Sequence, residues 1–163
     1  MRRLFSQTLL ALCLMLLSAS LALAGGSCTS KLTCFQAGYQ CRLTYTCTGS
    51  SVDGNFTSAT GMSPSAVNLS TLGGYFLFIA CSDPGSTAPT DNFDYTFTDA
   101  HRDLLGGLGA NHDNSTTECF VPKIDATNNI YGAVPWVTSL TLAITGNSVA
   151  SAGIVFDFYF VKE

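Results

Sequence analysis

Charge is scarce in this chain. Asp, Glu, Lys and Arg make up 11% of its 163 residues, and only seven are basic, against eleven acidic. Two of the seven, Arg2 and Arg3, open an N-terminal apolar stretch. Without them, Lys31, Arg42, Arg102, Lys123 and Lys162 face eleven acids, a net charge of −6. Phosphate recognition needs clustered Lys and Arg, so nucleic acid is excluded as an expected partner. Histidine occurs twice and tryptophan once. There is no G-x-S-x-G elbow, no H-E-x-x-H zinc helix and no catalytic-cysteine signature. Chemistry by any of these routes is therefore not expected, and the chain reads as non-enzymatic. No apolar run long enough to span a bilayer follows residue 24, and helical periodicity is weak throughout.

The chain does carry an export pattern. Residues 1–24, MRRLFSQTLLALCLMLLSASLALA, combine two arginines, a leucine-rich centre and a terminal Ala22-Leu23-Ala24, the three parts of a cleavable secretory signal. An uncleaved anchor is the alternative, but the A-x-A ending points to cleavage. One domain is expected from residues 25–163, secreted or held in the periplasm or cell envelope.

Beyond Cys13 lies an even set of cysteines, Cys28, Cys34, Cys41, Cys47, Cys81 and Cys119, which in an exported chain reads as a disulfide framework. Tyr39 to Thr48 alternates as a strand with one buried face, which leaves Cys41 and Cys47 about 20 Å apart and unable to bond to each other. Ser27 to Phe35 forms the preceding strand, with a turn around Gly38. In that hairpin the paired residue numbers sum to 75, a register that joins Cys28 to Cys47 and Cys34 to Cys41. Elimination leaves Cys81 with Cys119, closing a loop whose chain-entropy contribution is about 4 kcal/mol. Zinc is the rival use of these cysteines, but their spacings are not of the paired C-x-x-C type.

Turn formers separate further short strands. Tyr75 to Cys81 is apolar on both faces, as in a central strand. Phe93, Tyr95 and Phe97 alternate with Asp94, Thr96 and Thr98. Thr116 to Val121 contains Cys119, Leu140 to Thr145 alternates, and Ile154, Phe156, Phe158 and Phe160 line one face of a closing strand. A single antiparallel all-β domain follows, a disulfide-stabilised sandwich or jelly-roll.

Most of the polar chemistry crowds between Cys81 and Cys119. His101-Arg102-Asp103-Leu104 imitates a kinase catalytic loop, but Leu108 stands where the metal-holding Asn belongs. Gly106-Gly107-Leu108-Gly109 lacks the strand–helix setting of a dinucleotide fingerprint and suits a tight connection. Asp91, Asp94, Asp99, Asp103, Asp113 and Glu118 are possible oxygen ligands for calcium, yet no D-x-[DN]-x-[DN]-G loop gathers them, and no cofactor is expected. The Asp99 to Asn114 region is instead read as a partner or self-association surface, with Asp99, His101, Asp103, His112 and Asp113 as its candidate residues. Asn55-Phe56-Thr57, Asn68-Leu69-Ser70 and Asn114-Ser115-Thr116 fit the glycosylation pattern.

Four segments, Arg42 to Thr48, Pro89 to Asp94, Asp103 to Asp113 and Leu140 to Tyr159, follow an order that resembles small β-rich virion-associated proteins of tailed bacteriophages and prophages. The resemblance implies a structural, virion-associated role and no activity or ligand residues. The signal sequence and six cysteines depart from that pattern, because virion proteins assemble in a reducing cytoplasm. The expected function is a non-catalytic structural or assembly protein of the envelope, the extracellular space or a phage-derived particle. The alternatives are a calcium- or glycan-binding adhesin module and a secreted hydrolase.

Overall fold

A computed structural model of the protein describes residues 25–35, 38–56, 69–136 and 139–162. The signal segment 1–24 and the glycosylation-pattern residues Thr57 and Asn68 lie outside the described residues.

Ten strands occur among the described residues, in chain order: β1 (Ser27–Phe35), β2 (Gln40–Thr48), β3 (Tyr75–Pro84), β4 (Asp94–Thr98), β5 (Glu118–Phe120), β6 (Lys123–Asp125), β7 (Ile130–Tyr131), β8 (Val134–Pro135), β9 (Thr141–Thr145) and β10 (Gly153–Lys162). The main antiparallel sheet has the order β1-β2-β10-β3-β5, with β8 pairing further along β3. β4 pairs with β9, and β6 with β7. The chain is all-β and carries three disulfides.

Alternation decides what is buried. On β2, Cys41, Leu43, Tyr45 and Cys47 are buried, while the residues between them are at least partly exposed. Ile154, Phe156, Phe158 and Phe160 do the same on β10. This inner face meets the aromatic side chains of β4, which pairs with β9. The Phe97 ring stacks on Phe158 at 3.7 Å between centroids, and Tyr95 lies 4.6 Å from Phe156. Aromatic pairs of this kind add about 0.5–1.5 kcal/mol each beyond the area they bury.

The hairpin of β1 and β2 follows the register that sums to 75 along its whole length, from Ser27 opposite Thr48 to Phe35 opposite Gln40. The bridges join Cys28 to Cys47, Cys34 to Cys41 and Cys81 to Cys119. Three bridges within one chain suit an oxidising compartment. β3 escapes simple alternation for a local reason. Its register against β10 shifts by one between Ile79–Tyr159 and Leu77–Phe160, which leaves Phe78 as the extra residue of a β-bulge. Phe78 is accordingly 39% exposed, inside a segment that the sequence alone presents as apolar on both faces.

Candidate functional site

The segment between β4 and β5 turns back along the open edge of β4. Leu104 donates its N–H to the Phe97 carbonyl at 2.8 Å, Tyr95 donates to Gly109 at 2.6 Å, and His112 donates to Phe93 at 2.9 Å. Asn92 donates in return to the His112 carbonyl at 3.0 Å. An irregular chain thus occupies the place of a neighbouring strand and satisfies edge groups that would otherwise need water. Leu104 and Leu105, both fully buried, anchor it from beneath.

The glycines and acids of this segment build its turns. Gly106 and Gly107 have φ values of +64° and +82°, in the left-handed region that glycine occupies without strain. At Gly109 a Cβ would lie 1.9 Å from the Tyr95 carbonyl oxygen, so only glycine allows the approach. The Asp99 carboxylate accepts the N–H groups of His101 and Arg102 at 2.8 and 3.0 Å. Asp103 accepts from Leu105 and Gly107 at 3.1 and 2.8 Å. Asp113 accepts from the Ser115 hydroxyl and N–H, both at 2.6 Å, and from Thr116 at 3.1 Å. The Ser115 hydroxyl, followed by these backbone donors, holds the Asp113 carboxyl below its ordinary range.

His112 does not belong to the presented surface that the sequence suggested. Only 4% of it is exposed, and its ring sits among Tyr95, Phe93 and Phe120 at centroid distances of 4.7, 5.8 and 5.8 Å. Its Nδ1 lies 2.5 Å from Glu118 Oε2 and 3.2 Å from Ser82 Oγ. Its Nε2 lies 3.0 Å from the Leu108 carbonyl oxygen. Ser82 and Glu118 are directly opposed across β3 and β5, one position from the Cys81–Cys119 bridge. Burial raises the Tyr95 hydroxyl of the same cluster well above its ordinary range.

Serine, histidine and a carboxylate in contact invite comparison with a catalytic triad. In a triad the base uses one ring nitrogen for the nucleophile and the other for the orienting acid. Here Ser82 and Glu118 share Nδ1, Nε2 is occupied by Leu108, and Ser82 is fully buried. The arrangement ties β3, β5 and the segment between β4 and β5 together.

The five residues expected to form an interaction loop serve different roles in the structure. Asp99, Asp103 and Asp113 each organise their own turn, His101 is exposed, and His112 is internal. Among the described residues, no three His, Cys, Asp or Glu side chains converge to hold a metal ion. No described helix is long and apolar enough to cross a membrane.

A second polar centre has no distinguishing motif in the sequence. Asn147, 7% exposed, accepts the Thr90 N–H at 2.8 Å and donates to the Gly54 carbonyl at 2.6 Å and the Val149 carbonyl at 3.1 Å. One amide thereby joins three connections at one end of the main sheet. Three exposed apolar side chains lie towards the opposite end: Phe35 is 43% exposed, Tyr39 63% and Phe78 39%. Phe35, Gln40, Val161 and Phe76 follow one another across β1, β2, β10 and β3.

No family model, curated protein or solved structure matches this chain.

Proposed function

We propose that this chain is an exported, non-catalytic structural or assembly protein of the envelope, the extracellular space or a phage-derived particle. The exposed Phe35, Tyr39 and Phe78 carry this reading. Large apolar side chains exposed on a disulfide-stapled sheet and its β1–β2 turn suit contact with protein better than contact with solvent. The stapling supports such a role, because a rigid face loses little conformational entropy when it is covered. The internal use of Asp99, Asp103, Asp113 and His112 moves the proposed contact away from the Asp99 to Asn114 region and onto the outer face of the main sheet.

Sedimentation of the mature chain over a wide concentration range tests the reading. Association that is lost in a Phe35→Ser/Phe78→Ser variant with unchanged circular dichroism is the expected result. Association that survives the double substitution removes this face from the proposal.

A glycan-binding role has one observation in its favour. A shallow depression of about 240 Å³ is lined by Thr46, Thr48, Ser86, Thr87 and Ser151 above Val155. Gly153 leaves it open, and a Cβ there meets nothing closer than Gly85 Cα at 3.9 Å. Sugar-dependent melting that disappears in Gly153→Ala would favour this second reading.

A further inference from the structure

β1 is the outer strand of the main sheet, and its bridges to β2 reveal which way its backbone points. Cys28 and Cys47 stand directly opposite with Cα atoms 4.0 Å apart, as do Cys34 and Cys41. Opposed residues of an antiparallel pair lie about 4.5 Å apart where they exchange no hydrogen bonds, and about 5.5 Å where they do. The cysteines are therefore the non-bonded rungs. The other side of β2 agrees, since Gly49 donates to the Ala152 carbonyl at 2.8 Å and Lys162 to the Tyr39 carbonyl at 3.0 Å. Odd-numbered residues of β2 thus bond to β10, and even-numbered ones to β1. Ser27, Thr29, Lys31, Thr33 and Phe35 are tied to β2, while the N–H and C=O groups of Cys28, Ser30, Leu32 and Cys34 point away from it.

From this row we infer that β1 pairs antiparallel with β1 of a second copy of the chain, making one continuous sheet across two molecules. This pairing rests on the assembly reading above and names how two copies meet. β1 has nine residues, and its register with β2 runs through all of them without a shift. Every other strand that ends a sheet among the described residues has only two to five. The β4 edge is covered by the returning segment. Proline and bulges, which protect edges in many sheets, are missing from β1, and Lys31 is its one charged residue. No described strand lies on its outer side.

A second copy is the occupant that the edge itself selects. Each outward residue offers one donor and one acceptor, so the row complements itself about a two-fold axis. β1 and β2 contain no acid in a chain that holds eleven, so two copies meet here without opposed carboxylates. Lys31 and Phe35 then set the register. An axis through Lys31 would oppose two like charges, which destabilises a strand pair. An axis through Ser30 would set Phe35 against Gly25, which has no side chain to cover it. An axis through Leu32 places Leu32 against Leu32 of the second copy, Ser30 against Cys34, Lys31 against Thr33 and Phe35 against Thr29. That register engages the outward groups of Ser30, Leu32 and Cys34 and covers part of Phe35.

Ser30→Pro tests the pairing, because the lost N–H points outward and the ladder to β2 is spared. In sedimentation over a wide concentration range the wild type should associate, and Ser30→Pro should stay monomeric with unchanged circular dichroism. Thr29→Pro removes a bond to β2 and should instead lower the melting temperature. Amide exchange on the wild type gives a second readout that needs no variant. Thr29, Lys31 and Thr33 should be protected at every concentration, while Ser30, Leu32 and Cys34 should gain protection only as the chain associates. Should Ser30→Pro fail to fold, that comparison decides. Association of Ser30→Pro equal to that of the wild type, or exchange at those three amides that ignores concentration, overturns the pairing. If association is then still lost in Phe35→Ser/Phe78→Ser, the surface reading stands without it. A wild type that stays monomeric also overturns the pairing, and leaves the assembly reading only a different protein as partner.

Discussion

Ser82 lies directly opposite Glu118 across β3 and β5, and both reach the same nitrogen of His112. The Cys81–Cys119 bridge is the next rung of that ladder, so one covalent link sets the position of a buried polar cluster. The first two predictions come from this neighbourhood.

Removing the bridge by Cys81→Ala/Cys119→Ala should cost about 4 kcal/mol in the chain-entropy model, for a sequence separation of 38. Removing Cys34–Cys41, with a separation of 7, should cost only about 2 kcal/mol by the same relation. Equilibrium denaturation of the two variants gives the ranking, and an equal or reversed loss would contradict it.

Gly109→Ala should destabilise by about 2–3 kcal/mol, because its Cβ meets the Tyr95 carbonyl and β4 must shift. Gly107→Ala meets nothing within 4 Å, and at φ +82° it should cost only about 1 kcal/mol of backbone strain. Urea midpoints for the pair separate close approach from conformational freedom.

Asn147→Ala removes hydrogen bonds to Thr90, Gly54 and Val149 together and leaves partly buried backbone groups without partners. A loss of about 2–3 kcal/mol is expected. Asn147→Asp keeps the acceptor for Thr90 but cannot donate to Gly54, so it should recover only part of that loss.

Alkaline pH should act through two buried phenols. Burial raises both the Tyr45 and Tyr95 hydroxyls above their ordinary value. For an acid whose folded value is raised, stability is complete below the unfolded value, about 10 for tyrosine, and falls as pH rises beyond it. Chemical denaturation should show an onset of destabilisation near pH 10. Phenolate absorbance should show two tyrosines that ionise only with unfolding.

The strongest patterns in the sequence were those in which one constraint satisfied two observations. Two cysteine pairs fitted a single hairpin register, and the alternation of Ile154, Phe156, Phe158 and Phe160 marked the face that meets β4. β3 did not alternate because Phe78 is an inserted residue. β6, β7 and β8 have two or three residues each, too few to display a period. His112 stands in a polar, glycine-rich run, and its burial is created by Phe93, Tyr95 and Phe120, from other parts of the chain. One signal was available. Extending the antiparallel register from the Cys81–Cys119 pair by one residue places Ser82 beside Glu118. The acids between Asp99 and Asp113 resembled ligands because a turn-capping carboxylate and a metal-binding one have the same residue type and similar spacing.

The central structural claim is that residues 103–112 serve as a strand-like cover for β4 rather than as a presented loop. Native-state amide exchange at mildly acid pH, read at Tyr95, Leu104 and His112, tests it most directly, because these N–H groups bond to Gly109, Phe97 and Phe93. The account predicts protection in the same class as the central strand β10. Exchange at the rate of an open loop at Leu104 and His112 would contradict it.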